Sequence, residues 1–83
     1  MPDSTHRPAA LVTGATSGIG LAFAEELARR NYNLTLVARS EGPLNELSER
    51  LRRDRGIQCR GIALDLATVG AAERLVQTLR GAA

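Results

Sequence analysis

The chain has 83 residues and a formal net charge of +2, and it contains one cysteine and two aromatic residues, one phenylalanine and one tyrosine. This length allows one small domain whose core is near the lower limit for folding alone. The near-neutral charge and the scarcity of aromatic side chains exclude a polycationic or base-stacking nucleic-acid binder, and the single cysteine excludes an internal disulfide and a cysteine-rich zinc site.

The first segment, residues 1–8, is polar, carries two prolines and is predicted to be a disordered tail. It lacks the apolar core of a signal peptide, and no apolar run in the chain reaches the ~20 residues that cross a membrane. His6 has no partner at a spacing suited to metal ligation, so we interpret it as a solvated side chain. The sequence therefore predicts a cytoplasmic protein without a membrane or metal partner.

Residues 9–12 are wholly apolar, which is typical of a strand covered on both faces in a parallel sheet. Three closely spaced glycines follow, and a helical pattern then extends over residues 18–30. The apolar positions of this helix recur every three or four residues and predict one packed face, formed by Ile19, Ala22, Phe23 and Leu27.

Two more strands and two more helices are predicted in alternation. Asn31 is placed to adopt a left-handed conformation at the end of the first helix, and residues 34–38 form a second strand. Ser40 can cap a second helix over residues 41–53. Residues 58–64 predict a third strand, and the apolar positions of the last helix are Val69, Ala72, Val76 and Leu79.

This alternation predicts an α/β fold with a parallel sheet and right-handed crossovers. With three strands in the order 3-2-1 and flanking helices, residues 9–83 would form the N-terminal half of a doubly wound, or Rossmann, nucleotide-binding domain. The first strand is central in a complete sheet of this kind, so one of its edges is left without a partner here. We therefore expect self-association through that edge.

The functional prediction depends on residues 13–20, which read Thr-Gly-Ala-Thr-Ser-Gly-Ile-Gly. Gly14 and Gly18 can adopt backbone angles that a Cβ would forbid, and Gly20 lets the new helix lie close to its strand. Unpaired N–H groups and the positive dipole end of this helix then face a gap in which a pyrophosphate fits. A nucleoside-triphosphate loop would need a lysine, and the chain contains none. The alternative is a glycine-rich turn that only connects strand and helix.

The octet, directly after an apolar strand near the N-terminus, resembles the T-G-x-x-x-G-x-G cofactor loop of the short-chain dehydrogenase/reductase family. The resemblance implies a nicotinamide dinucleotide cofactor and, in a complete member, hydride transfer between an alcohol and a carbonyl compound. It also implies that the cofactor is held by the loop residues Gly14, Thr16, Ser17, Gly18, Ile19 and Gly20.

A basic residue, Arg39, follows the second strand, where a dinucleotide fold places the adenosine ribose. An acidic residue there would accept hydrogen bonds from the ribose hydroxyls and select NAD, whereas a guanidinium offers a planar fork to a phosphate. Arg39, with Ser40 beside it, therefore predicts NADP in preference to NAD. Ser17 stands where NADP-preferring relatives often carry a second basic residue, and the alternative for Arg39 is an exposed surface charge.

Asp65 and Leu66 follow the third strand. The resemblance implies that the Asp65 carboxylate accepts a hydrogen bond from the adenine amino group, while the Leu66 backbone serves the neighbouring ring nitrogen. The alternative is that Asp65 caps the next helix, and both roles can coexist.

The catalytic residues of the family have no counterpart in these 83 residues. Members carry an Asn-Asn-Ala-Gly segment, then a serine and a Tyr-x-x-x-Lys pair whose tyrosine is the general acid/base. The single tyrosine, Tyr32, has Leu36 where the lysine would stand. The sequence thus predicts a truncated, inactive cofactor-binding segment of an oxidoreductase; the alternatives are a non-catalytic nucleotide-binding module and a vestigial fragment.

Overall fold

The computed structural model describes residues 7–81; His6 and most of the predicted tail lie outside the described residues. Strands and helices alternate along the chain. The strands are β1 (Ala9–Thr13), β2 (Asn33–Ala38) and β3 (Cys59–Ala63), and the helices are α1 (Gly18–Arg29), α2 (Glu41–Arg55) and α3 (Ala71–Gly81). None of these three helices, which are all that residues 7–81 contain, is long and apolar enough to cross a membrane.

The three strands form one parallel sheet in the order β1-β2-β3, which confirms the predicted topology. In the register of the first pair, Leu11 lies beside Thr35. Because the strands are parallel, their carboxyl ends meet at one edge of the sheet. The loops that follow Thr13, Ala38 and Ala63 therefore lie close together.

The main core lies between one face of the sheet and the helices α1 and α2. Alternate side chains of β2, Leu34 and Leu36, are buried in it, as the two-residue period of a strand requires. The helices contribute alanines from α1 and leucines from α2: Ala24, Ala28, Leu44, Leu47 and Leu51. Removing these side chains from water is the main favourable term in folding. It holds α1 and α2 on the sheet, and so fixes the position of their first turns, which follow the ends of β1 and β2.

Helix α2 approaches β3 closely at Gly61. A Cβ on Gly61 would lie 2.8 Å from Leu44 Cγ and 3.1 Å from Ser48 Oγ, so the absence of a side chain allows the approach. Ser48 is only 2% exposed, and its hydroxyl has no hydrogen-bond partner within residues 7–81. The contact between α2 and β3 is therefore tight but contains one unsatisfied polar atom.

The face of α1 that packs on the sheet differs from the predicted face. Ala24 and Ala28 are fully buried, whereas Ile19 is 77% and Phe23 is 59% exposed. The small alanines let α1 lie close over β1 and β2, and the larger side chains line an open groove beside β1. The expectation that β1 is covered on both faces is also wrong, because Leu11 is 45% exposed.

Helix α3 likewise turns a different face inward. Val69 precedes the helix and is 98% exposed, because Gly70 at φ +80° interrupts the helical path between Val69 and Ala71. Val76 is also exposed, while Ala71 and Leu75 are buried. No Cα atom of α3 lies within 8 Å of another helix or strand in residues 7–81, so α3 is the most loosely attached element described.

Candidate functional site

A cavity of about 510 Å³ opens at the carboxyl ends of the three strands. Its lining includes seven of the predicted site residues, namely Gly14, Thr16, Ser17, Arg39, Ser40, Asp65 and Leu66. These residues belong to three loops that are separate in sequence, and the parallel sheet brings the loops to one edge. The structure thus unites the three predicted strand-end groups in one concave site.

The cavity lining also includes five residues that the sequence interpretation missed: Thr13, Val37, Ala38, Leu64 and Ala67. All five lie at a strand end or beside a predicted residue, so their position in the sequence could have identified them. Most of their side chains are apolar and have no reactive or hydrogen-bonding group. They make part of the wall apolar, which is typical of small-molecule sites, where a few polar groups provide orientation.

The glycine loop is attached to the second strand. The Ala15 N–H donates to the Val37 carbonyl oxygen over 3.2 Å, and Ala15 is fully buried. Gly14 at φ +62° and Gly18 at φ +55° both adopt the left-handed conformation, which confirms the backbone prediction. The loop therefore reverses around a buried alanine whose amide is already bonded and is not available to a ligand.

Gly20 lies in the first turn of α1, directly against the loop. A Cβ at this position would overlap the carbonyl oxygen of Gly14 and lie 2.9 Å from the carbonyl oxygen of Thr13. Real Cβ atoms do not approach backbone atoms so closely. The structure thus confirms that glycine at this position allows the close contact between helix and strand.

Two helix N-termini open into the cavity. Ser17 and Ser40 are the N-cap residues of α1 and α2, and neither hydroxyl makes a capping hydrogen bond. The first-turn N–H groups of both helices lack intrahelical partners, and both helix dipoles place their positive end here. The cavity therefore offers two sets of donors suited to phosphate groups.

Arg39 is the one basic residue in the cavity lining. Its side chain is exposed, and no carboxylate lies within 4 Å of it among residues 7–81. A guanidinium without an acidic partner can present parallel N–H groups to a phosphate. The cavity therefore has a defined cationic side.

Asp65 is the one acidic residue in the lining. Its Oδ1 accepts a hydrogen bond from the Ala67 N–H over 2.9 Å, and its carbonyl oxygen accepts one from the Thr68 N–H over 3.0 Å. The side chain thus forms an Asx turn before α3 and does not cap that helix, which begins only at Ala71. The other carboxylate oxygen makes no hydrogen bond to residues 7–81, so one acceptor of this cavity-lining residue remains available.

Three predicted site residues lie outside the cavity lining: Gly18, Ile19 and Gly20. Ile19 and Gly20 instead line the groove of about 460 Å³ between β1 and α1. A direct contact of these three residues with a cofactor stays a prediction.

The thiol of Cys59 is remote from the cavity, because Cys59 is the first residue of β3 and the cavity lies at the carboxyl ends of the strands. It is buried, and burial raises its pKa above the ordinary range, so it remains a neutral side chain rather than a nucleophile. Within the described range 7–81, no three His, Cys, Asp or Glu side chains are grouped so that they could hold a metal ion.

The comparison with protein families agrees with this geometry, because the model of the short chain dehydrogenases matches residues 8–82. The chain is 43% identical to very-long-chain 3-oxoacyl-CoA reductase of Mus musculus over 58 residues. This alignment covers 70% of this chain and 19% of that protein. It is 40% identical to 7beta-hydroxysteroid dehydrogenase of Clostridium sardiniense over 70 residues. This alignment covers 84% of this chain and 27% of that protein.

Solved structures are similar over nearly the whole described chain. The short-chain dehydrogenase from Sphingobium yanoikuyae in complex with NADPH has a TM-score of 0.82 at 40% identity, covering 88% of this chain and 29% of that chain. L-sorbose reductase from Gluconobacter frateurii, complexed with NADPH and L-sorbose, has a TM-score of 0.84 at 35% identity, covering 90% and 28%. The chain spans less than a third of each of these proteins. With its parallel sheet, its glycine loop and this family match, the chain belongs to the short-chain dehydrogenase family.

Proposed function

We propose that the cavity binds NADP, as the cofactor site of an oxidoreductase that in its complete form transfers hydride between NADP(H) and an alcohol or carbonyl compound. The observation that carries this proposal is Arg39, a guanidinium without an acidic partner in residues 7–81, on a cavity into which two helix N-termini open. The two similar structures named above contain NADPH, which supports the same cofactor here.

Each of the three loops that line the cavity would hold a different part of the cofactor. The amides after Ala15 and the Ser17 hydroxyl would hold the diphosphate at the start of α1. Arg39 and Ser40 would hold the phosphate on the adenosine ribose, and the second carboxylate oxygen of Asp65 would accept the adenine amino group. When bound, the nicotinamide ring supplies the hydride chemistry, and these residues bind and orient its carrier.

The preference for NADP over NAD follows from charge. NAD lacks the ribose phosphate and would leave the Arg39 guanidinium without an anion, whereas NADP supplies one. A charge-assisted hydrogen bond contributes about 1.5–3 kcal/mol, which corresponds to roughly 10- to 100-fold in affinity.

Titration calorimetry of the chain with NADP and with NAD tests this proposal. The Arg39→Ala variant should lose roughly 10- to 100-fold in NADP affinity and little in NAD affinity. Arg74→Ala is the matched control, because Arg74 is an exposed arginine of α3 outside the cavity lining. Equal affinity of the parent chain for both nucleotides, or equal losses in both variants, would refute the assignment of Arg39.

We propose further that these 83 residues bind the cofactor without turning over substrate, because they contain no lysine and so cannot supply the family's Tyr-x-x-x-Lys pair. The expected result is a measurable NADPH affinity together with no NADPH oxidation above the buffer rate, in assays with a panel of ketones and aldehydes. Oxidation that depends on both the chain and a carbonyl substrate would contradict the proposal.

We also propose a cytoplasmic location, supported by the single buried cysteine, which suits a reducing compartment. Fractionation of cells that express a tagged chain checks this location. Recovery of the tagged chain outside the cytoplasmic fraction would refute it.

Self-association through the uncovered edge of β1 is the last part of the proposed function. It is supported by the sheet order β1-β2-β3, in which one edge of β1 has no strand beside it among residues 7–81. Analytical ultracentrifugation over a range of concentrations measures it, and a chain that stays monomeric throughout would refute it.

A further inference from the structure

The N-cap residue of α2 has the backbone of a cap but a side chain that does not cap. Ser40 has φ −96° and ψ 111°, and its carbonyl oxygen accepts the first intrahelical bond, from the Leu44 N–H over 3.2 Å. An N-cap serine in this conformation usually accepts, through its hydroxyl, a hydrogen bond from the second or third N–H of the helix. The exposed Ser40 hydroxyl makes no such bond. It therefore remains available within the cavity lining.

The third residue of α2 provides a physical reason for this missing bond. It is Pro43, which has no N–H and carries a ring carbon where the amide hydrogen would lie. One of the two usual partners of a capping hydroxyl is thus absent. Gly42 makes the proline possible here, because proline disfavours a helical backbone in a preceding residue that has a Cβ. The two residues together let α2 begin while the Ser40 hydroxyl stays uncapped.

Helix α1 provides an internal comparison. Its N-cap residue, Ser17, also makes no capping bond, but the third residue of α1 is Gly20, which has an N–H. The Ser17 hydroxyl can therefore turn to its own helix whenever no ligand holds it. The Ser40 hydroxyl has no third-residue amide to turn to. A group with fewer competing partners in the free protein gives up less when it binds a ligand, so Ser40 is the better prepared of the two.

Pro43 itself is not part of the cavity lining. It lines a separate groove of about 460 Å³ between α1 and α2, and Thr16 is the one residue that lines both spaces. Ser40 lines the cavity next to Arg39, whose guanidinium has no carboxylate within 4 Å among residues 7–81. Pro43 can therefore affect a nucleotide in the cavity through Ser40 and the first turn of α2.

We propose that Pro43 is a positioning residue for NADP. Because it denies the Ser40 hydroxyl a partner in its own helix, it keeps that hydroxyl free to donate to the ribose phosphate beside Arg39. This inference rests on the proposed function and adds a residue that contributes to the choice between NADP and NAD. NAD has no phosphate at this position, so the free hydroxyl favours NADP alone. One neutral hydrogen bond corresponds to about fivefold in an equilibrium constant, which sets the size of the expected effect.

A double-mutant cycle with Ser40→Ala and Pro43→Ala tests this inference by titration calorimetry. In the parent chain, Ser40→Ala should lower the NADP affinity about fivefold and leave the NAD affinity unchanged. In the Pro43→Ala background the restored amide engages the hydroxyl, so Ser40→Ala should change the NADP affinity by less than about twofold. Pro43→Gln restores the same amide, and its side chain can complete a capping box, so it is a second variant with the same expected result.

Pro8→Ala is the matched control for the loss of a proline. Pro8 is exposed, precedes β1 and lies outside the cavity lining. In a Pro8→Ala background, Ser40→Ala should still lower the NADP affinity about fivefold.

Urea denaturation of the same variants measures the capping bond without any nucleotide. Ser40→Ala should leave the unfolding equilibrium of the parent chain nearly unchanged, but should favour unfolding about fivefold in the Pro43→Ala background, where the serine caps α2. Equal effects of Ser40→Ala in the two backgrounds, on NADP affinity or on unfolding, would overturn the role of Pro43 and leave the proposed function intact. A parent chain that does not bind NADP would overturn both.

Discussion

Replacing Gly20 by alanine should separate helix α1 from the glycine loop. The new Cβ would overlap the Gly14 carbonyl group, whose carbon would be only 2.6 Å away, and would lie 2.9 Å from the Thr13 carbonyl oxygen. Backbone atoms cannot yield as a flexible side chain can, so the start of the helix must move by about 1 Å. Overpacking of this kind costs about 1–3 kcal/mol, of which the better helix propensity of alanine returns up to about 1 kcal/mol.

The same displacement should weaken nucleotide binding. A shift of about 1 Å takes an N–H···O contact of about 2.9 Å beyond the hydrogen-bonding range. Loss of one charge-assisted bond to the diphosphate costs about 1.5–3 kcal/mol, so the NADP affinity of Gly20→Ala should fall roughly 10- to 100-fold.

Gly42→Ala is the matched control for this variant. Gly42 lies in the first turn of α2, and a Cβ on it would meet no atom within 4 Å outside the two neighbouring residues. Alanine gains about 0.5–1 kcal/mol over glycine in a helix, but the following Pro43 disfavours a helical residue with a Cβ at position 42 and offsets this gain, so Gly42→Ala should change the free energy of unfolding little and leave NADP binding unchanged. Urea denaturation and titration calorimetry measure both effects. Equal stability changes in the two variants, or a Gly20→Ala chain that binds NADP like the parent, would refute the reasoning.

Three further predictions concern single side chains. Ser48→Ala should raise the free energy of unfolding by about 1 kcal/mol in urea denaturation, because it removes a buried hydroxyl without a hydrogen-bond partner in residues 7–81; a loss of stability would contradict this. Hydrogen bonds from Arg29 and Arg30 lower the pKa of Glu26, so its stabilising effect should be present above its unfolded-state pKa and vanish as the pH falls through its folded-state pKa. Denaturation of Glu26→Gln and the parent should therefore differ at neutral pH and converge in acid. Burial raises the pKa of Cys59, so alkylation of its thiol should be slow in the folded chain and accelerate in urea. The free energy of unfolding should also fall as the pH rises past the unfolded-state pKa of this thiol. Rapid alkylation of the folded chain would refute that account.

The alternation of elements and the turn geometry were predictable because their signals are local. Apolar runs bounded by polar turns define the strands, and the left-handed conformations of Gly14, Gly18 and Asn31 follow from residue type. The strand order 3-2-1 needed one further assumption about the sheet faces on which the helices lie, because right-handed crossovers alone also allow the order 2-1-3.

Which helix face packs inward could not be predicted, because that depends on which neighbours are present. The period of α1 identifies Ile19 and Phe23 as one apolar stripe, and the alanines beside them as another. The structure places Ala24 and Ala28 against the sheet because small side chains allow a close helix. Contacts between distant segments were equally hidden; the ion pair of Glu25 with Arg50, at 3.1 Å, joins α1 to α2 without any local pattern.

The candidate site was more predictable than the core because its geometry is imposed by topology. Parallel strands bring the residues after them to one edge, so three short polar signals were enough to place Ser17, Arg39 and Asp65 in one cavity. The same octet that provides the cavity with its donors continues into Ile19 and Gly20, which line the groove between β1 and α1 instead. The motif therefore predicts the loop that reaches the strand ends, but not which of its residues line the cavity.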